Sequence, residues 1–320
     1  MTLKNPYDII KINPKINEVS KDLKNLENET LNNLKNSKSQ NTLRAYSSDF
    51  KDFKKFCEDN NVKFLPTEPR ILSLYLTKLS KTSKFSTIKR RLASISVIHR
   101  LKGHYIDTKH PAIVENLMGI KRTKGVNQKS KKPILISDLK LLINAIHQSK
   151  EKKLRKIRDK AILLIGFSGG FRRTELVNLE YEDIEFVIEG LKLFVKRSKT
   201  DQSGEGMVKA IPYFDNIEFC PVTSLKEWLD TSKISNGKIF DISDKGISLI
   251  IKKYANKSGL DSNKYSGHSL RSGFATSTAQ SGAEERNIMA MTGHKTTQMV
   301  RRYIKEANLF KNNALNKIKL

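Results

Sequence analysis

A single β-hairpin signature interrupts a chain otherwise patterned for helices, and that interruption most constrains the fold. Ile184–Ile188 and Leu191–Lys196 are short β-prone runs flanking Glu189-Gly190, a turn pair. The polar, Gly-containing stretch Asp201–Gly206 separates them from a third strand, Met207–Tyr213. On both sides of this segment apolar residues recur at helical spacing instead. The expected architecture is mostly α with one small antiparallel sheet.

The helical pattern divides the 320 residues into two domains. Residues 1–36 form a polar extension in which Leu23, Leu26, Leu31 and Leu34 suggest a short amphipathic helix. Residues 37–120 read as a four- or five-helix domain. Leu43, Tyr46, Phe50, Phe53 and Cys57 share one helical face, and Pro66 and Pro69 interrupt before a helix restarts over Ile71–Leu79. A further helix over Ser86–Leu101 carries the stripe Ile88, Leu92, Ile95 and Ile98. Lys89, Arg90 and Arg91 interleave with that stripe, and together with Arg44 they are candidates for phosphate contact. Taken singly, each is equally a solvated surface charge.

Residues 121–133 read as a basic linker, with Lys129, Lys131 and Lys132 as further candidates for phosphate contact. Residues 134–320 form the second domain. Ser137 is the expected cap of a helix ending near His147, and a second helix spans Leu154–Ser168 and stops at Gly169-Gly170. A short helix lies within Arg172–Leu179, and helices resume from Pro221.

Charge narrows the partner class. Lys and Arg number 60 against 33 Asp and Glu, a net charge of +27. Residues 121–160 hold 14 basic side chains against three acids. A polyanion is the natural partner of such a surplus, with plain solubility as the alternative. No G-x-x-x-x-G-K-[ST] or G-x-G-x-x-G loop occurs, so no nucleotide cofactor is indicated. The two cysteines and six histidines show no metal-ligand spacing, and no metal or other cofactor is expected. No apolar run is long enough to span a bilayer and no signal-peptide core is evident. Sparse cysteine fits a reducing compartment, so a cytoplasmic protein is expected.

Four clusters in the second domain carry candidate chemistry. Gly170-Phe171-Arg172-Arg173-Thr174-Glu175-Leu176 places Arg172 and Glu175 at i,i+3, which alone could be a surface ion pair. Arg197-Ser198-Lys199-Thr200-Asp201 puts a lysine beside the hairpin, where a solvated side chain is the ordinary outcome. His268-Ser269-Leu270-Arg271 sets a histidine and an arginine three apart on one helix. Gly293-His294 is followed nine residues later by Tyr303, which alone could be a half-buried amphipathic residue.

Their order and combination resemble the tyrosine recombinase, or phage integrase, family across about residues 38–310. GGFRRTEL resembles its first arginine motif, SKTDQSGEG its lysine segment, GHSLRSGFAT its HxxR motif and MTGHKTTQMVRRYI its GH…Tyr motif. Phe171 and Thr174 depart from the usual leucine and serine, and Gly-x-Arg selects Arg172 over its neighbour Arg173. The resemblance implies a helical, SAM-like core-binding domain and a mixed catalytic domain that clamp a duplex in a C shape. It implies Tyr303 as nucleophile and Arg172, Arg271 and His294 as donors to the scissile phosphate. It also implies His268 as proton acceptor, Lys199 as general acid and Glu175 in a supporting role.

Fixed donors around the non-bridging oxygens stabilise a phosphoryl transition state more than its ground state. Always-charged, forked arginines suit that task. A phosphotyrosyl link conserves the energy of the broken phosphodiester, so no energy cofactor is needed. The implied partner is double-stranded DNA bearing a specific site. The implied assembly is a homotetramer on synapsed DNA, monomeric or weakly associated when free, with accessory or directionality proteins as further candidate partners. No membrane role is implied. A type IB-like topoisomerase and a catalytically silent DNA-binding protein of the same fold stay open as alternatives. The amphipathic tail with Ala307, Leu309, Phe310, Ala314, Leu315 and Ile318 could pack on its own domain or on a neighbouring protomer.

Overall fold

The structure is a computed structural model that describes residues 21–125, 130–196, 206–307 and 314–318. The chain separates into two compact units, Met1–Gln128 and Lys129–Leu320. Among the described residues no helix is long and apolar enough to cross a membrane.

The first unit is helical: α1 (Lys21–Asn36), α2 (Gln40–Asp59), α3 (Pro69–Ser80), α4 (Phe85–Leu101) and α5 (Pro111–Lys124). Local chemistry sets the boundaries. The Ser39 hydroxyl accepts the Thr42 N–H at the start of α2. Pro69 and Pro111 open α3 and α5, where a missing N–H costs nothing. The expected stripes form the core: Phe50, Phe53 and Cys57 from α2 meet Ile88, Ile95 and Ile98 from α4, with Tyr75 and Leu76 from α3. α1 confirms a helix in the N-terminal extension, although Leu23 and Leu26 are exposed on it. The sequence placed the linker at residues 121–133, but α5 carries helical structure through Lys124, and Gly125 ends it at φ 68°. The basic run Lys121, Arg122, Lys124 is thus the last turn of a helix, where cations meet the negative end of the dipole.

The second unit contains α6 (Ile136–His147), α7 (Lys153–Ser168), α8 (Arg173–Val177), β1 (Ile184–Val187), β2 (Gly190–Val195), β3 (Met207–Pro212), α9 (Pro221–Ser232), α10 (Asp244–Lys257), α11 (His268–Gln280), α12 (Glu285–Thr292) and α13 (Thr297–Ala307). α6 begins before Ser137, the expected cap; the Asp138 carboxylate instead accepts the Leu135 N–H. The three strands form one antiparallel sheet in the order β1-β2-β3. α7 is buried nearly all round and packs against α6, α9 and α11. It is the central post of the domain. α8 follows directly from its C-terminal glycines, so the first arginine motif is anchored to the most buried helix. A separate small cluster of Ala275, Ala279, Ile288, Val300 and Tyr303 fastens α12 and α13 to α11.

Candidate active site

Four segments of the second unit converge on one site. The first is the turn between α7 and α8. Gly170 sits at φ 55°, a left-handed conformation that a side chain would strain. The turn aims Arg172 back across the domain. Glu175 is buried and performs two tasks: one oxygen accepts the Arg172 backbone N–H at 2.9 Å, the other accepts Nη1 at 2.6 Å. This pins both ends of the arginine, leaving its fork partly exposed. Arg173, the adjacent residue, points elsewhere and binds Ser248 and Asp244 on α10. The two adjacent arginines therefore meet different surroundings.

The second segment is α11. Arg271 is 1% exposed, and its Nη1 donates to Gly170 O at 2.8 Å. Its Nη2 is also buried and has no hydrogen-bond acceptor among the described residues. Burial, and then the neighbouring charge of Arg172, pull the Arg271 pKa down to about 10. A desolvated guanidinium with a spare N–H is a strong pull on an anion. His268 opens the same helix with one edge in solvent, and desolvation followed by Arg271, Arg172 and Arg173 lowers its pKa.

The third and fourth segments are the α12–α13 turn and α13. Gly293 ends α12 at φ 62°, and its carbonyl accepts from Arg172 Nη2 at 3.3 Å. His294 follows, held to Thr292 Oγ1 through Nδ1 at 2.7 Å. Burial first, and then Arg271, Arg172, His268 and Lys209, push its pKa down to about 4. Tyr303 is 8% exposed, with its hydroxyl 3.4 Å from His268 Nε2 and its ring centroid 6.2 Å from that of His294. The nine-residue gap in the sequence is therefore one turn and half a helix, long enough to fold the tyrosine back beside the histidine.

Lys199 lies outside the described residues. The structure brings a different lysine to this place. Lys209 on β3 is fully buried, and its Nζ donates to Gly169 O at 2.7 Å and also to Met291 O. It lies over the Phe171 ring, 4.8 Å from the centroid. Burial drives its pKa down to about 7, with Glu175 opposing and Arg271 and Arg172 adding to the shift. The signal was present in the strand pattern: β3 alternates, and Lys209 stands in register with Leu193 on the face otherwise occupied by Leu191 and Ile211. A lysine in an apolar register is a buried polar group that requires partners.

The basic candidates fare differently. In the first unit Arg90 pairs with buried Asp49, which also accepts from Ser94 Oγ at 2.7 Å. Arg91 pairs with Asp52 and donates to Tyr75 Oη at 2.8 Å. These two arginines tie α4 to α2 and α3. Arg44 and Lys89 are exposed. Lys89 joins Lys84, Lys121 and Lys124 around a groove of ≈ 790 Å³ between α4 and α5, with Leu117 and Met118 among its apolar lining. Lys129 lies outside the described residues. Lys131 donates to Asn263 O, and Lys132 lies 3.4 Å from Asp138, so both are folded onto their own domain. Among the described residues no group of three or more His, Cys, Asp or Glu side chains could hold a metal ion.

Comparison with known proteins gives the family of the chain. The phage integrase family model matches residues 136–309, and the phage integrase N-terminal SAM-like domain matches residues 29–102. An integrase/recombinase xerD homolog of Selenomonas ruminantium is 41% identical over 292 residues, covering 87% of this chain and 85% of its own. Tyrosine recombinase XerC of Thermodesulfovibrio yellowstonii is 28% identical, covering 81% and 84%. In fold, the chain is similar to the XerH site-specific recombinase bound to palindromic difH substrate, with a TM-score of 0.64 at 17% identity and coverage of 90% and 85%. It is also similar to a lambda integrase dimer bound to a COC' core site, with a TM-score of 0.54 at 20% identity and coverage of 88% and 93%. A family match over more than half the chain, and a relative this similar over most of both lengths, place the protein in the phage integrase family, as a tyrosine recombinase.

Proposed function

We propose that the protein cleaves and rejoins double-stranded DNA at a specific site through a 3′-phosphotyrosyl link to Tyr303. The observation that carries this reading is the buried Arg271 guanidinium, whose Nη2 has no acceptor among the described residues and lies in the same site as Arg172, His294 and the Tyr303 hydroxyl. Relatives bound to DNA substrates and core sites support the choice of ligand.

In this reading Arg172 and Arg271 bind the non-bridging oxygens of the scissile phosphate, and His294 adds a third donor. Tyr303 Oη attacks phosphorus, His268 accepts its proton, and the P–O5′ bond breaks. The departing 5′-oxygen takes a proton from a general acid, the role assigned to Lys199. Glu175 keeps Arg172 aimed. Attack on the phosphotyrosine by a 5′-hydroxyl from a second strand reverses these steps and completes strand exchange. Two such exchanges join two duplexes through a four-way junction, so the working assembly is a homotetramer on synapsed DNA. Element integration, excision and dimer resolution all use this chemistry, and accessory proteins set its direction.

The test is a nicked suicide duplex carrying the host attachment site, resolved on a denaturing gel. Wild type gives a protein–DNA adduct and Tyr303→Phe gives none while still retarding the duplex. An adduct formed by the phenylalanine variant overturns the assignment. Products that need two sites and contain recombinant junctions separate recombination from topoisomerase-type relaxation.

A further inference from the structure

The site contains a hydroxyl whose hydrogen can point in only one direction. Thr292, the last residue of α12, is fully buried. Its Oγ1 lies 2.6 Å from Ile288 O and 2.7 Å from His294 Nδ1. A carbonyl only accepts, so the hydroxyl proton points at Ile288. Oγ1 then offers a lone pair to the imidazole, and Nδ1 must carry the hydrogen of that contact. In a neutral ring this leaves Nε2 bare.

A bare Nε2 cannot donate to a phosphate oxygen. The ring becomes a donor at Nε2 only by gaining a second proton. We propose that Thr292 is a positioning residue that holds His294 as the Nδ1–H tautomer in the free protein, so that His294 joins the phosphate-binding set by taking up a proton when DNA binds. The proposal rests on the DNA-cleaving reading above. The proton comes from solvent, and the new N–H bond forms on the existing Nε2 lone pair, so no other reactant is involved.

The surroundings supply the coupling. The groups around the ring are Arg172 beside α8, His268 and Arg271 on α11, Lys209 on β3, Thr292 on α12 and Tyr303 on α13. Burial, and then the positive charge of Arg271 and Arg172, keep the ring neutral near pH 7, with its pKa at about 4, and His268 and Lys209 act in the same direction whenever they are protonated. A phosphodiester placed among these cations brings the opposite charge to the same point. It offsets the repulsion that excludes the second proton and offers an acceptor to the new Nε2–H. Binding therefore raises the His294 pKa, which is proton uptake by linkage.

Nitrogen NMR of the full chain with labelled histidine reads the tautomer directly, and His294→Gln assigns the signal. Near pH 7 the free wild type is expected to show His294 protonated at Nδ1 and bare at Nε2. Thr292→Val, similar in shape but lacking the hydroxyl, should move the ring toward Nε2–H, and Thr292→Ser should leave it as in wild type. Nε2–H in the free wild type, or a valine variant indistinguishable from it, overturns the proposal and needs no DNA to do so. Inorganic phosphate is then added until the Arg271 Nε–H shift stops moving. His294 should gain its second proton in wild type, and a ring still singly protonated at that point overturns the uptake step. The absence of any phosphate-dependent shift would count against the anion site itself, and so against the reading on which the proposal rests.

In cleavage assays the valine variant should be less sensitive to alkaline pH. Wild type must hold two ring protons, so its rate falls about tenfold per pH unit above the bound pKa. The valine variant can donate from a neutral Nε2–H ring and should lose less. Parallel alkaline limbs for the two proteins would refute that consequence.

Discussion

A lysine buried under the proposed phosphoryl-transfer site must be reconciled with the cost of burying charge. Lys209 meets that cost in two ways. Its Nζ donates to two backbone carbonyls, Gly169 O at the end of α7 and Met291 O at the end of α12. Its pKa falls to about 7, mainly through burial, so a neutral amine is accessible, and that amine still has two N–H groups for the two carbonyls. Lys209 therefore staples the turn that carries Arg172 to the turn that carries His294. Lys209→Met removes both donors and leaves two buried acceptors, which should cost about 1–3 kcal/mol of stability. Cleavage should fall with it, because both phosphate-facing turns lose their common anchor. Chemical denaturation and the adduct assay, run together, check this. The pH dependence has a definite sign. The folded pKa lies below the unfolded value, so the unfolded chain binds more protons between about pH 7 and 10 and stability should rise with pH across that window. Lys209→Met should flatten this rise. A rise of equal slope in the variant would show that Lys209 is not its source.

At the scale of elements, the legible features were those written as a local period or a fixed spacing. The two stripes of the helical domain became buried faces because their apolar residues recur at helical spacing, and the apolar run Ala161–Phe167 became the buried length of α7. The hairpin was found to within a residue or two, since Glu189-Gly190 is a turn signal that acts locally. The candidate residues Arg172, His268, Arg271, His294 and Tyr303 were singled out by motif order, and the structure brings them to one place. What escaped depended on partners distant in sequence. Arg90 and Arg91 looked like a basic helix face, but Asp49 and Asp52, some forty residues earlier, claim them. Lys209 needed the β2–β3 register before its inward direction could be seen. Gly273 gave no signal at all, yet it sets how closely α11 approaches the chain entering the domain. A Cβ there would lie 1.8 Å from Ile134 O, and Ile134 N donates to Ser269 O at 2.9 Å in the same contact. Gly273→Ala should force α11, which carries His268 and Arg271, away from residue 134, at a cost of about 1–3 kcal/mol or more. Reduced melting temperature together with weakened cleavage is the expected result. A variant with wild-type melting would mean that the contact relaxes freely.

The whole molecule carries a net charge of +27, and the two units distribute its use differently. In the catalytic unit several basic side chains meet protein groups: Lys131 donates to Asn263 O, and Lys132, Arg155 and Lys196 pair with carboxylates. In the helical unit Lys84, Lys89, Lys121 and Lys124 instead ring one groove, where α4 begins and α5 ends. A phosphate backbone laid along that groove would release condensed counterions in proportion to the charges it meets, so affinity should fall steeply with salt. Each lysine that contacts phosphate contributes about 0.9 to the slope of log affinity against log salt. Lys89→Gln combined with Lys121→Gln should thus lower the slope by roughly 2, weaken binding to specific and random duplexes alike, and leave the melting temperature unchanged. The paired residue Arg90 provides the contrast. Arg90→Gln leaves buried Asp49 with only the more distant Arg91 guanidinium, 3.7 Å away, so it should destabilise the helical unit and change the salt slope little. Binding isotherms over a range of salt concentrations, with thermal melts of the same proteins, separate the two kinds of basic residue. If Arg90→Gln lowers the slope as much as a groove lysine does, the division of the charge proposed here is wrong.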